Sequence, residues 1–78
     1  MMVRTVIVIV EPGKANMVLA ELGEAGAEIV SVAPIYTGAV DGREDILVTF
    51  TVEHESADAQ YSFLTWVEDT LGPSCEVF

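Results

Sequence analysis

Hydrophobic positions along this chain fall in short runs separated by turn residues. Val3 to Val10 is an almost unbroken β-branched stretch with Val6-Ile7-Val8-Ile9-Val10 at its centre, which predicts a central strand with apolar residues on both faces. Glu11-Pro12-Gly13 breaks that run. Ala15, Val18, Leu19, Leu22 and Ala25 then recur at helical spacing until Gly26, predicting a first amphipathic helix. Glu28 to Tyr36 regains strand character through Ile29, Val30, Val32 and Ile35, and Pro34 assigns this strand to an edge. The span from Thr37 to Arg43 contains Gly38 and the pair Asp41-Gly42, which reads as a loop or hairpin.

From Ile46 to Val52 the alternation is clear. Ile46, Val48, Phe50 and Val52 share one face, and Leu47, Thr49 and Thr51 share the other. Ser56 is a suitable N-cap with Asp58 in the following turn; Ala57, Tyr61, Leu64, Val67 and Leu71 line a second helix that ends at Gly72-Pro73. Ala59, Phe63 and Trp66 form a second apolar stripe, expected to be core or subunit contact, and Ser74 to Phe78 leaves room for one short strand. The sum is β-α-β-β-α-β. This predicts an α+β fold of the ferredoxin-like kind, with a four-stranded antiparallel sheet and two helices on one face. One domain spans residues 1–78, built as two loosely repeated βα halves.

Such a fold leaves the other sheet face bare. The first strand would present valine and isoleucine there, beside Leu47 and the two threonines, and a contiguous apolar surface of that kind marks an interaction site. A homo-oligomer, dimer or trimer, through this open face or an edge is therefore expected. Size points the same way, because a chain of 78 residues hides only about 60% of the surface that its unfolded form exposes.

Composition narrows the class. A hydrophobic content of 51% places the chain well outside the regime that leaves proteins disordered. No apolar run approaches the roughly 20 residues that cross a bilayer, and no signal-peptide pattern opens the chain, so a cytoplasmic protein is expected. Thirteen acidic residues face only Arg4, Lys14 and Arg43, giving a net charge of −10. A surface of that sign repels nucleic acid and anionic membranes, so neither is an expected direct partner. An RNA-binding module is disfavoured further by the lack of an aromatic strand signature.

The segment from the first strand into the second carries a resemblance. Glu11-Pro12-Gly13, then Val18, Leu22 and Gly26, then Ala27-Glu28-Ile29-Val30-Ser31-Val32, resembles an ACT domain over about a third of the chain. In that family a strand ends in an acidic residue and Pro-Gly, a helix follows, and a Gly-x-Asn-Ile entry opens the next strand. Here Glu28 stands where the family often has asparagine. The resemblance implies a βαββαβ regulatory module that binds an amino acid or similar small molecule between paired copies. Pro12-Gly13-Lys14 is also similar to the Pro-x-Lys pattern that ends the first strand of PII-type signalling proteins, which are nucleotide-binding trimers. The chain has no room for the long loop after the second strand or the C-terminal extension of that family.

The residues of that segment suggest a site on their own terms. Helix N-terminal N–H groups attract carboxylate or phosphate; Gly13 permits close backbone approach, Lys14 adds a cation and Asn16 an amide. Glu11 and Glu28 would oppose an anion yet suit a ligand's ammonium group. With Ile29 at the strand entry, these residues form the candidate small-molecule effector site, which competes with a purely structural turn.

Catalysis finds little support, and no enzyme, cofactor or metal is expected. His54, between Glu53 and Glu55, reads as an exposed polar residue at a strand end. Asp41, Glu44 and Asp45 lack calcium-loop spacing and read as a solvated loop. Cys75 has no second cysteine for a disulfide or zinc site and reads as a small residue in the last strand. The alternative function comes from charge: an acidic inhibitor of the phage or anti-CRISPR type that mimics nucleic acid and occupies a basic protein partner. Glu21, Glu24, Glu28, Glu68 and Asp69 would supply its array.

Overall fold

The computed structural model describes residues 1–36 and 44–78. The expected turn at Thr37 to Arg43, and with it Asp41, lies outside the described residues. β1 (Met2–Val10) leads through a tight turn at Pro12–Lys14 into α1 (Ala15–Glu24), followed by β2 (Glu28–Tyr36) and β3 (Glu44–His54). α2 (Ala57–Trp66) continues into one wider turn of helix at Val67–Leu71, and β4 (Cys75–Val77) closes the chain. The four strands form one antiparallel sheet in the order β2-β3-β1-β4. This α+β arrangement is compatible with a ferredoxin-like fold. No helix among the described residues is long and apolar enough to cross a membrane.

The apolar run of β1 sits between β3 and β4, as its two apolar faces require. In register, Val6 meets Phe50, Val8 meets Val48 and Val10 meets Ile46. Val6, Val8, Val48 and Phe50 are fully buried, and Val18 and Leu22 of α1 close over them. Val67 and Leu71 join the same cluster from the end of α2. Phe63 packs edge-on against Phe50, with ring centroids 6.3 Å apart, and Trp66 lies against Phe63 at 5.6 Å. Both helices thus cover the same sheet face, and the stripe containing Phe63 and Trp66 belongs to the core.

Local chemistry sets the boundaries. α1 ends in a Schellman closure: the Ala27 N–H donates to the Leu22 carbonyl and the Gly26 N–H to the Gly23 carbonyl. Gly26 takes φ of 91° there, a conformation that only glycine adopts cheaply. Ser56 caps α2 by accepting the Ala59 N–H at 3.2 Å, with Asp58 in the first turn. β2 lies at the sheet edge, the position in which a strand tolerates a proline such as Pro34. A bulge interrupts its pairing between Ile29 and Ser31.

Two expectations need correction. The buried face of α2 begins at Gln60 rather than Tyr61, which is 72% exposed. Docking of Phe63, Val67 and Leu71 against the sheet fixes the helix phase, and position 60 then turns inward whatever its polarity. His54 is half-buried, not exposed. It shares the helix-side face of β3 with Phe50 and Val52, so its ring reaches Phe63 at a centroid distance of 5.2 Å. Its Nδ1 is shielded and receives no hydrogen bond from the described residues, a cost of about 1–3 kcal/mol for a buried polar atom.

Truncation at the centre of this packing should be severe. Phe50→Ala is expected to lower unfolding free energy by about 3–5 kcal/mol, measured by urea titration, because it removes the ring that joins sheet and α2. Ser56→Ala should cost about 1 kcal/mol by the same assay through loss of the cap.

Candidate functional site

β4 is three residues long and starts with Cys75 opposite Val8, so the edge of β1 at Ile9 and Val10 has no strand beside it. An open hollow of about 150 Å³ lies there, lined by Ile9 and Val10, by Glu11 and Lys14 of the β1–α1 turn, and by Leu71 to Pro73. Its size admits only a small molecule, since pockets for drug-sized ligands run to about 300–1,000 Å³. Gly72, at φ of 103°, donates its N–H to the Val67 carbonyl and turns the chain along the rim.

The turn itself is built by proline. Glu11 is extended, and Pro12 opens the tight turn without an N–H to satisfy. The Lys14 N–H donates to the Glu11 carbonyl at 2.9 Å, and the Ala15 N–H to the Pro12 carbonyl. No side chain caps this start of α1, and no acidic residue lies in its first turn. Gly13 is exposed, and a Cβ placed on it would meet nothing within 4 Å, so the fold itself does not demand glycine there. Asn16 is exposed on the following residue pair.

Glu11 and Lys14 are therefore brought into one hollow, while Gly13 and Asn16 lie on the adjoining helix start. Glu28 and Ile29 are not brought there. Glu28 pairs with Thr51, which faces Thr5, so it lies about 20 Å along β1 from Glu11 at the strand's rise per residue. It lines a separate hollow with Val3, Gly26 and Glu53, in which no basic residue takes part. Ile29 packs half-buried against the core. A single chain cannot join the two halves of this set.

Other candidates separate in the same way. Glu44 and Asp45 are successive residues of β3 and project to opposite faces, and among the described residues no three His, Cys, Asp or Glu side chains are grouped for a metal ion. Glu68 accepts the Cys75 N–H at 3.0 Å, so one of the acids assigned to nucleic-acid mimicry anchors β4. Glu68 and Asp69 lie near the Leu71 end of the molecule and Glu28 at the other. Sequence reasoning missed Leu71 to Pro73 as the far wall of the hollow. The Gly72-Pro73 pair marked a helix end but carried no sign of what it would face.

No protein-family model matches the chain, and no curated protein matches it either. The reading of the site rests on its own geometry.

Cys75 is half-buried in β4 on the helix side of the sheet. Burial, with Glu68 adding like-charge repulsion, pushes its thiol up to about 11. It is thus a poor nucleophile at neutral pH. The raised value favours the folded state below the free-thiol range, and that contribution disappears as pH rises from about 9 to about 11. Alkylation by iodoacetamide should be slow at pH 8 and accelerate toward pH 11. The loss of thermal stability across that window should be smaller in Cys75→Ala, which isolates the contribution of the thiol.

Proposed function

We propose that this chain is a non-enzymatic regulatory domain, ACT-like in plan, that binds a small metabolite carrying a carboxylate or phosphate at the β1–α1 turn. The observation that carries this reading is the placement of Lys14 in a small hollow beside a helix start that no side chain caps. Outward N–H groups and a lysine amine suit an anionic group. Glu11 adds a carboxylate on the same wall, and a carboxylate accepts several hydrogen bonds at once, so it can receive an ammonium while keeping its other contacts. An amino-acid zwitterion matches both signs better than a simple anion does. The hydrophobic floor of Ile9, Val10 and Leu71 would take an aliphatic side chain.

The space around Gly13 makes the test clean. Gly13→Val should fold normally because a Cβ at this exposed position meets nothing within 4 Å, and it should exclude ligand from the approach to the helix start. Lys14→Glu should weaken binding about 10- to 100-fold, the range for losing a charge-assisted hydrogen bond. Amide chemical-shift titration with the common amino acids and with inorganic phosphate would measure both. Shifts centred on residues 11–16 and 71–73 that vanish in Lys14→Glu support the reading; normal binding of every such ligand by both variants refutes it.

A further inference from the structure

We infer that the open face of the sheet is a docking surface for a basic amphipathic helix of another protein. Strand parity fixes what this face carries. Ile7 and Ile9 of β1 lie on it beside Thr49 and Leu47 of β3, away from both helices, and Ile35 of β2 shares their register. Glu28, Glu53 and Glu76 stand in that register too and are exposed, whereas Asp45 is buried. No lysine or arginine of the described residues joins them: Arg4 pairs with Val52 on the helix side, and Lys14 belongs to the β1–α1 turn. The face is thus an uncovered apolar strip bordered by carboxylates.

That composition selects the occupant. A second copy would bring the same carboxylates and no basic residue to meet them, so self-stacking would set acid against acid. A basic partner meets them with opposite charge. The relief of the face has the same mixed character in two places. Glu76 shares a hollow of about 300 Å³ with Ile7, Ile9 and Ser74, while Glu28 and Glu53 share one of about 260 Å³ with Val3, Gly26 and Thr51. Each sets carboxylate beside apolar side chains. Lysine and arginine match that arrangement, because the methylene stem lies on apolar surface while the charged head pairs with an acid.

Dimensions assign a helix to the space between the acids. β2 and β4 lie three strand spacings apart, roughly 14 Å, and the β1–β3 ladder between them runs roughly 30 Å. A helix about 10–12 Å across fits that width, and about 16 residues cover most of the length at 1.5 Å per residue. Leucines at i, i+3, i+4 and i+7 would rest on Ile7, Ile9, Leu47 and Thr49. Basic residues on the two flanks would reach Glu76 on β4 and Glu28 on β2. Addition of a strand at the β2 edge is opposed by Pro34 and by the bulge after Ile29. The inference does not depend on a ligand at the β1–α1 turn.

A synthetic peptide of about 16 residues, with leucine on one stripe and lysine and arginine on both flanks, tests it against the whole chain by fluorescence anisotropy. The peptide is expected to bind at least ~10-fold tighter than one of the same composition in scrambled order, which keeps the charge and loses the stripe. Amide chemical shifts should move most at Ile7, Ile9, Leu47 and Thr49. Glu76→Lys should weaken binding ~10-fold or more while circular dichroism shows an unchanged fold, and Glu28→Lys serves as a second variant. Glu24→Lys, the same charge change on the exposed surface of α1, should leave the dissociation constant within ~3-fold of wild type. Equal affinity for the scrambled peptide, an equal loss in Glu24→Lys, shifts centred on the helices, or no binding up to about 1 mM would overturn the proposal. So would sedimentation equilibrium showing a dimer that Thr49→Lys converts to monomer, since a second copy would then hold the face.

Discussion

The nine-residue ladder between β1 and β3 is the constraint on which the other positions depend. It fixes in one register which side chains enter the core and which stay outside, because a slip of one residue would exchange the two sets. Val6, Val8 and Val10 are thereby aligned with Phe50, Val48 and Ile46 beneath both helices. The same alignment sends Ile7 and Ile9 to the opposite face beside Thr49 and Leu47. One pairing therefore defines a packed face and an unpacked one. The apolar content of the unpacked face follows from the β-branched run that also makes β1 a good central strand.

The short last strand has a second set of consequences. Glu68 reaches from the end of α2 to hold the Cys75 N–H, and Gly72 turns the backbone through a left-handed conformation before β4 begins. β4 then covers β1 only at Val6 to Val8. Ile9 remains beside a gap on both sides of the sheet, and it lines both the hollow of the β1–α1 turn and the hollow of the open face. A longer β4 would fill both. The two hollows thus share one structural origin at the short last strand.

The features legible in the sequence were those set by near neighbours. The β-branched run of β1, the glycine closure after Ala25, the Ser56 cap and the edge position implied by Pro34 each depend on residues within a few positions. The phase of α2 was not legible, because apolarity favoured Tyr61 while the burial of Gln60 depends on where Phe63 and Val67 meet a sheet assembled from distant segments. His54 was misread for the same reason: strand parity placed it on the helix side, but nothing local announced Phe63 as its neighbour. The candidate site was half legible. Glu11 and Lys14 are close in sequence and close in space, whereas Glu28 belongs to the far end of a strand whose length separates them.

Charge and size pull against each other in this chain. Ten net negative charges on 78 residues oppose compaction and oppose association, and a small domain has little buried area with which to offset either. The structure answers by segregation. Exposed acids gather on helix surfaces, strand ends, turns and the short edge strand β4, while the paired centre of β1 and β3 keeps valine, isoleucine, leucine, phenylalanine and threonine. Repulsion among these acids is long-ranged and is screened within about 8–10 Å at ordinary ionic strength. Added salt should therefore ease that repulsion and weaken any attraction of Lys14 for an anion.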